Sequence, residues 1–377
     1  MNGKHLSILQ MFYDSNELMS LIKKLKYDSI SSIFLVPYYS LFCIESLCTL
    51  KNYGIDISSD YKCPYNQKNI RAKLKCFEEK YNKSINIVRN CDFIQDYIFK
   101  SKLKCTLLKK LNMYYNIGLF IYSKKIIGNS QYAYYIFQDS KLLKKSNLLL
   151  NDFQFQLIPS ELKEFGAYCS NIIYKINTIT IEIFKLKSNF DSKYIKSNIY
   201  FKDLNTNKIF KEDTKLEHLY LLHILSNINY VYYFLKNYEK NNSWWIKLYY
   251  ITYYYSLRRI INLVEYSRKN NKKIDKINIL EKLYNNTNKY INSDFRSCIM
   301  HYDFSNYINK KYFDIKKPLF GLIESIFDGI DYNDFKNDIL KYIKEISNTL
   351  EKYLKIDISN YEPLTKGDEN INEWGYI

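Results

Sequence analysis

Apolar and polar positions follow two rhythms along the 377 residues, and the rhythm changes near residue 212. Beyond that point, in EDTKLEHLYLLHILSNINYVYYFLKNYEKN, the residues Leu216, Leu219, Tyr220, Leu222, His223 and Leu225 recur at helical spacing over more than one stripe. Asp213 and Thr214 offer capping oxygens just before it. NNSWWIKLYYITYYYSLRRIINLVEYSRK predicts a second long helix capped by Ser243, and KIDKINILEKLYNNTNKYINSDFRSCIMHYDF a third. DYNDFKNDILKYIKEISNTLEKYLK predicts a fourth, with Asp331, Asn333 and Asp334 as its start signal. Pro318, Gly321 and Gly329 break the connector before it. Four such helices predict an all-α bundle over residues 213–356. The Pro- and Gly-containing acidic stretch 357–377 reads as a tail.

The first 212 residues mix periods. Helical patterns run through 15–27, 33–52 and NQKNIRAKLKCFEEKYNK. SINIVRN, IGLFIYSK, YAYYIFQD, FQFQLI and SNIIYKINTITIEIFKL are short β-branched or aromatic runs that read as strands. NIYFKDLNTNKIFKED has two alternating runs around Asn205, Thr206 and Asn207 and predicts a hairpin. The expected class is α+β: a mixed α/β region at 1–212, a sensor, regulator or recruitment module, followed by the helical bundle.

Composition adds weight to some of this. Forty Tyr and 22 Phe supply large buried areas with hydroxyls that seek partners. The net charge of +17 suits a polyanionic partner, although Lys, Asn, Ile and Tyr are abundant together, as a coding bias would also make them. Against 50 Lys, the six Arg are the more informative cations, because the guanidinium fork holds a phosphate through two bonds. Eight cysteines (Cys43, Cys48, Cys63, Cys76, Cys91, Cys105, Cys169 and Cys298) include no CxxC pair and no zinc-ligand spacing. No signal-peptide pattern opens the chain, so reduced thiols in a cytoplasmic protein are expected. Pro37 and Glu45 interrupt one apolar stretch, and Lys247, Arg258 and Arg259 another, which predicts buried helices and no membrane span.

The nine glycines form neither GxGxxG nor GxxxxGK[ST], and GxSxG and HExxH are also lacking. That leaves acid–base chemistry on four histidines. His5 reads as a surface residue; His218 and His223, five apart on one helix, project about 140° from one another and do not form a metal pair. His223 reads as a core histidine. Arg296 and His301 are also five apart, in a polar patch with Asp294, Ser297, Tyr302 and Asp303.

An all-α bundle with R-x4-H near the end of its third pattern, here RSCIMH, resembles the HEPN superfamily, whose active members are metal-independent ribonucleases of toxin–antitoxin, abortive-infection and CRISPR-associated defence systems. The resemblance covers about residues 213–356. It implies Arg296 as the phosphate-binding, transition-state-stabilising residue and His301 as general acid/base. It also implies RNA as substrate, no metal or cofactor, a homodimer with a composite site, and an antitoxin or trigger protein as a possible partner. Ser297 stands where active members usually place Asn, Asp or His; its hydroxyl can still donate a hydrogen bond.

The chemistry agrees with these roles. RNA is cut without metal when its own 2′-hydroxyl attacks phosphorus, given a base for the proton and a cation for the developing charge. Asp303 either orients the imidazole or starts the following turn, and Tyr302 either stacks on a base or packs. Arg258 and Arg259 are RNA-binding candidates. The expected function is an endoribonuclease in phage defence or a toxin–antitoxin system; the alternative is a non-catalytic dimerisation and RNA- or protein-binding module.

Overall fold

The computed structural model describes residues 3–25, 32–57, 67–75, 77, 80–102, 114–137, 152–187, 198–240 and 242–356. The order of elements is α1 (Gly3–Lys24), α2 (Val36–Asn52), α3 (Gln67–Ala72), α4 (Tyr81–Lys102), β1 (Ile117–Tyr122), β2 (Lys125–Asn129), α5 (Ser130–Phe137), α6 (Asp152–Phe184), β3 (Tyr200–Leu204) and α7 (Thr206–Ile209). These are followed by α8 (Lys215–Asn229), α9 (Ser243–Lys269), α10 (Ile277–Thr287), α11 (Ser293–His301), α12 (Leu322–Ile326) and α13 (Tyr332–Leu354). Helices dominate, with one small antiparallel sheet, an α+β arrangement.

Most of the strands expected in the first half are helices. SINIVRN lies inside α4, where Ser84, Ile85, Val88 and Cys91 are buried at helical spacing. FQFQLI and SNIIYKINTITIEIF lie in α6, whose buried Phe165, Cys169, Ile172, Ile173, Ile176 and Thr180 form one stripe while Tyr174 and Ile183 are exposed. YAYYIF belongs to α5. The β-branched and aromatic content suggested strands, but the spacing of the inward residues is helical, and burial of that stripe outweighs a weak propensity. The expected helix at 15–27 begins earlier, at Gly3.

IGLFIYSK does form a strand. β1 pairs with β2 across Ser123 and Lys124, both at positive φ (47° and 61°), as a two-residue hairpin turn matched to strand twist requires. β3 adds antiparallel to the other edge of β1, giving the order β2-β1-β3. The hairpin expected at NIYFKDLNTNKIFKED is therefore absent: Asn205 accepts from the amides of Asn207 and Lys208 and starts α7 instead of a turn. Gly118 and Gly128 make room for rings; a Cβ would lie 2.0 Å from Cζ of Phe201 and 2.2 Å from Cζ of Phe34, respectively.

In the second half, α8, α9, α10 and α13 pack on one another. Asp331 caps α13 by accepting from the amide of Asn333, as expected. For α9 the cap is Asn242, one residue before the expected Ser243. The third predicted helix is broken into α10 and α11. Residue 212 marks a change of element type and no gap in packing: α8 lies on β2, α1 on α9 and α2 on α11, and one hydrophobic cluster runs from Leu6 to Leu354. The predicted tail at 357–377 lies outside the described residues, as do Cys63, Cys76 and Cys105. Among the described residues no helix is long and apolar enough to cross a membrane.

Candidate functional site

Arg296 and His301 sit on α11, a nine-residue helix of its own. The break before it follows from NNTNKYIN. Asn292 accepts from the amides of Asp294 and Phe295, a side-chain cap that starts a new helix. Backbone groups freed by the break are taken up by tyrosine hydroxyls of α9. The Tyr250 hydroxyl lies 2.9 Å from the carbonyls of Tyr290 and Asn292, and that of Tyr253 donates to the Thr287 carbonyl at 2.6 Å. Without such partners these buried groups would each cost about 1–3 kcal/mol.

One face of α11 is anchored. Phe295, Cys298, Ile299 and Met300 are buried, with the Phe295 ring edge-on to Tyr250 at 4.5 Å and to Phe327 at 5.1 Å. The other face carries exposed or half-buried Ser293, Asp294, Arg296, Ser297 and His301. Five residues apart, Arg296 and His301 stand at opposite borders of that face, and different helices hold them.

His301, the last residue of α11, has a side chain 41% exposed, and its Nδ1 lies 2.8 Å from Oε2 of Glu45 on α2. Glu45 is 8% exposed, and its other oxygen, Oε1, accepts from Nη1 of Arg71, whose side chain is 32% exposed. A carboxylate on Nδ1 favours the tautomer with hydrogen at Nδ1 and leaves Nε2 as the basic nitrogen. This is the geometry in which a carboxylate orients a proton-transferring imidazole. Arg296 instead lays its guanidinium over the Tyr254 ring at 5.6 Å, and its buried Nε has no hydrogen-bond partner.

For the two residues after the motif, each left with two readings by the sequence, the geometry favours the packing or turn-starting one. Tyr302, at positive φ, ends α11 and is buried; its hydroxyl donates to Oδ2 of Asp14 at 2.6 Å, and Nζ of Lys247 sits 4.1 Å over its ring. It has no free face for a base. Burial, followed by the neighbouring Asp14, holds its phenol well above the ordinary tyrosine range. Lys247 completes the cluster with an ion pair to Asp14, and Gln10 donates to Oδ1 of Asp14 at 2.7 Å. Asp303 does not orient His301. Its carboxylate accepts from Asn306 at 3.1 Å and from Ser305 at 3.4 Å, the turn-starting role. Glu45 takes the orienting position, and it was missed because 256 residues separate it from His301. Its only sequence signal was a carboxylate in an otherwise apolar helix.

Ser297 is half-buried on the polar face beside these groups. Arg258 is exposed on α9, one turn from Tyr254, so it extends the surface on which Arg296 lies. Arg259 is 2% exposed and its Nε donates to the Lys75 carbonyl at 2.9 Å, a buried packing position and not the exposed one a phosphate contact requires. His223 is a core histidine between Phe77 and Tyr132, and burial pushes its pKa down to about 3. His218 packs at a tilt against Phe210 at 5.0 Å, and His5 lies edge-on to Phe184. Among the described residues Cys43, Cys48, Cys91, Cys169 and Cys298 lie in no disulfide, and no group of three His, Cys, Asp or Glu is disposed to hold a metal.

The arrangement offers an oriented, solvent-accessible imidazole, an arginine on its supporting carboxylate, and, on the same short helix as the imidazole, Arg296 with no carboxylate partner among the described residues. Comparison with family models, with curated proteins and with solved structures finds no match to the chain.

Proposed function

We propose that the chain is a metal-independent endoribonuclease of the HEPN type, acting in phage defence or in a toxin–antitoxin pair. The observation that carries the reading is the half-exposed His301, held at Nδ1 by buried Glu45 so that Nε2 is left for proton transfer. In the reaction Nε2 of His301 takes the proton of a ribose 2′-hydroxyl, and the 2′-oxygen attacks the adjacent phosphorus. The bond from phosphorus to the 5′-oxygen breaks, the leaving oxygen takes a proton from water while His301 returns its own to solvent, and a 2′,3′-cyclic phosphate and a 5′-hydroxyl result. Arg296, with no carboxylate partner, stabilises the charge on the phosphoryl oxygens. Pairing of two chains about α11 brings a second Arg296 to each His301, since within one chain they occupy opposite borders of the helix.

The test is cleavage of a fluorophore-labelled RNA in EDTA. His301→Ala is expected to slow it by about 10²–10⁴-fold, and Arg296→Ala to slow it as well. The all-deoxy analogue stays intact, because it has no attacking hydroxyl. Cleavage by His301→Ala at the wild-type rate refutes the reading.

A further inference from the structure

We infer that Arg71 is a phosphate-binding residue of the same site, so that a single chain presents a base and a cation on either side of one RNA phosphate. The inference rests on the ribonuclease reading, and it assigns a role to a residue from outside α11.

Arg71 and His301 bind opposite oxygens of one carboxylate, Oε1 and Oε2 of Glu45, so the guanidinium and the imidazole sit side by side. The two cation-bearing side chains are 32% and 41% exposed while the carboxylate between them is 8% exposed, so solvent reaches both the arginine and the histidine although the acid that joins them is buried. A guanidinium carries five N–H donors in a planar fork. Nη1 is the nitrogen that meets Glu45, and further donors are left for an anion. Lys68, exposed one turn earlier on α3, adds positive charge to the same rim.

Arg296 does not serve this place in its own chain. Its guanidinium lies over Tyr254 of α9, whereas His301 leans on α2. An oxyanion needs its donors where the charge develops, within hydrogen-bond reach of the reacting phosphate. Arg71 meets that condition for a phosphate seated against Nε2 of His301. Glu45 then has two tasks: it fixes the imidazole and aims the guanidinium. The rarity of arginine in this chain fits the assignment, since a lysine would neutralise Glu45 equally well but would lack the fork.

The experiment measures binding of a fully 2′-O-methylated RNA, which cannot be cleaved, by fluorescence anisotropy, alongside cleavage of ordinary RNA. Arg71→Ala is expected to weaken binding by about 10- to 100-fold, the loss of one or two charge-assisted hydrogen bonds. Because Arg71→Ala leaves a buried carboxylate uncompensated, the double variant Arg71→Ala/Glu45→Gln is measured too, with circular dichroism as the folding control. The expected result is equal weakening in Arg71→Ala and in the double variant. Wild-type affinity in Arg71→Ala overturns the inference, and so does restored affinity in the double variant, which would make Arg71 a mere counter-ion. Cleavage is read on ordinary RNA and binding on the methylated RNA, so a failure of the cleavage reading and a failure of the Arg71 assignment show on different readouts.

Discussion

Lys247→Met tests how much the buried Asp14–Lys247 pair beneath α11 stabilises the fold. Lys247 and Asp14 are side chains 6% and 1% exposed, and Tyr302, the residue after His301, donates to the same Oδ2 that Lys247 meets. Removing the cation leaves a carboxylate in the interior with only Gln10 and Tyr302 as donors, a change that costs about 3–5 kcal/mol. The double variant Asp14→Asn/Lys247→Met removes both charges and keeps a carbonyl oxygen for Tyr302, so it is expected to recover most of that loss. Urea unfolding followed by tryptophan fluorescence reads the effect well, because Trp244 and Trp245 precede Lys247 on α9. With a slope of about 3 kcal/mol per molar urea, the single variant lowers the midpoint by about 1–1.7 M. The reasoning is refuted if the single variant loses less than about 1 kcal/mol, or if the double variant is no more stable than the single one.

Two further outcomes follow from burial. His223, held in the fold at a pKa of about 3 against 6.5 in a free chain, binds its proton more readily when unfolded, so folding stability falls as pH drops through 6.5 towards 3. The slope attributable to it is about 1.4 kcal/mol per pH unit, and His223→Leu should remove that part of the acid sensitivity in unfolding curves taken at pH 4–7. Gly128→Ala is expected to cost about 1–3 kcal/mol, because its Cβ would meet the buried Phe34. Gly118→Ala should cost less, because Phe201 is 41% exposed and its ring can turn outward; thermal unfolding of the two variants side by side checks the order.

Legibility in the sequence followed the range of the interactions. Helix starts depend on a few neighbouring residues, so the cap at Asp331 was readable, and that of α9 was readable to within one residue. The break at NNTNKYIN was partly written in its asparagines, yet it is complete only because Tyr250 and Tyr253 reach across from α9. In α4 and α6, β-branched content masked a helical stripe whose period was present throughout. At the site, the rarity of arginine and histidine singled out Arg296 and His301. The choice between the two roles open to Asp303, and the burial of Arg259, were not readable because neither spacing nor composition says which way a side chain turns: Asp303 bonds its own turn and Arg259 the Lys75 carbonyl.

By itself the sequence determined a helix-rich chain rich in aromatic side chains, and an Arg–His pair five apart in a polar helical stretch. These are consequences of local spacing and of residue chemistry. Only the tertiary structure decided that Glu45 and Arg71, from α2 and α3, meet His301, and that Tyr302 is drawn inward by Asp14 and Lys247. Those contacts join residues 45 to 301 and 14 to 302 because α1 and α2 bury their apolar faces against α9 and α11. The cost of leaving charges unpaired in that interface then selects which polar groups face each other.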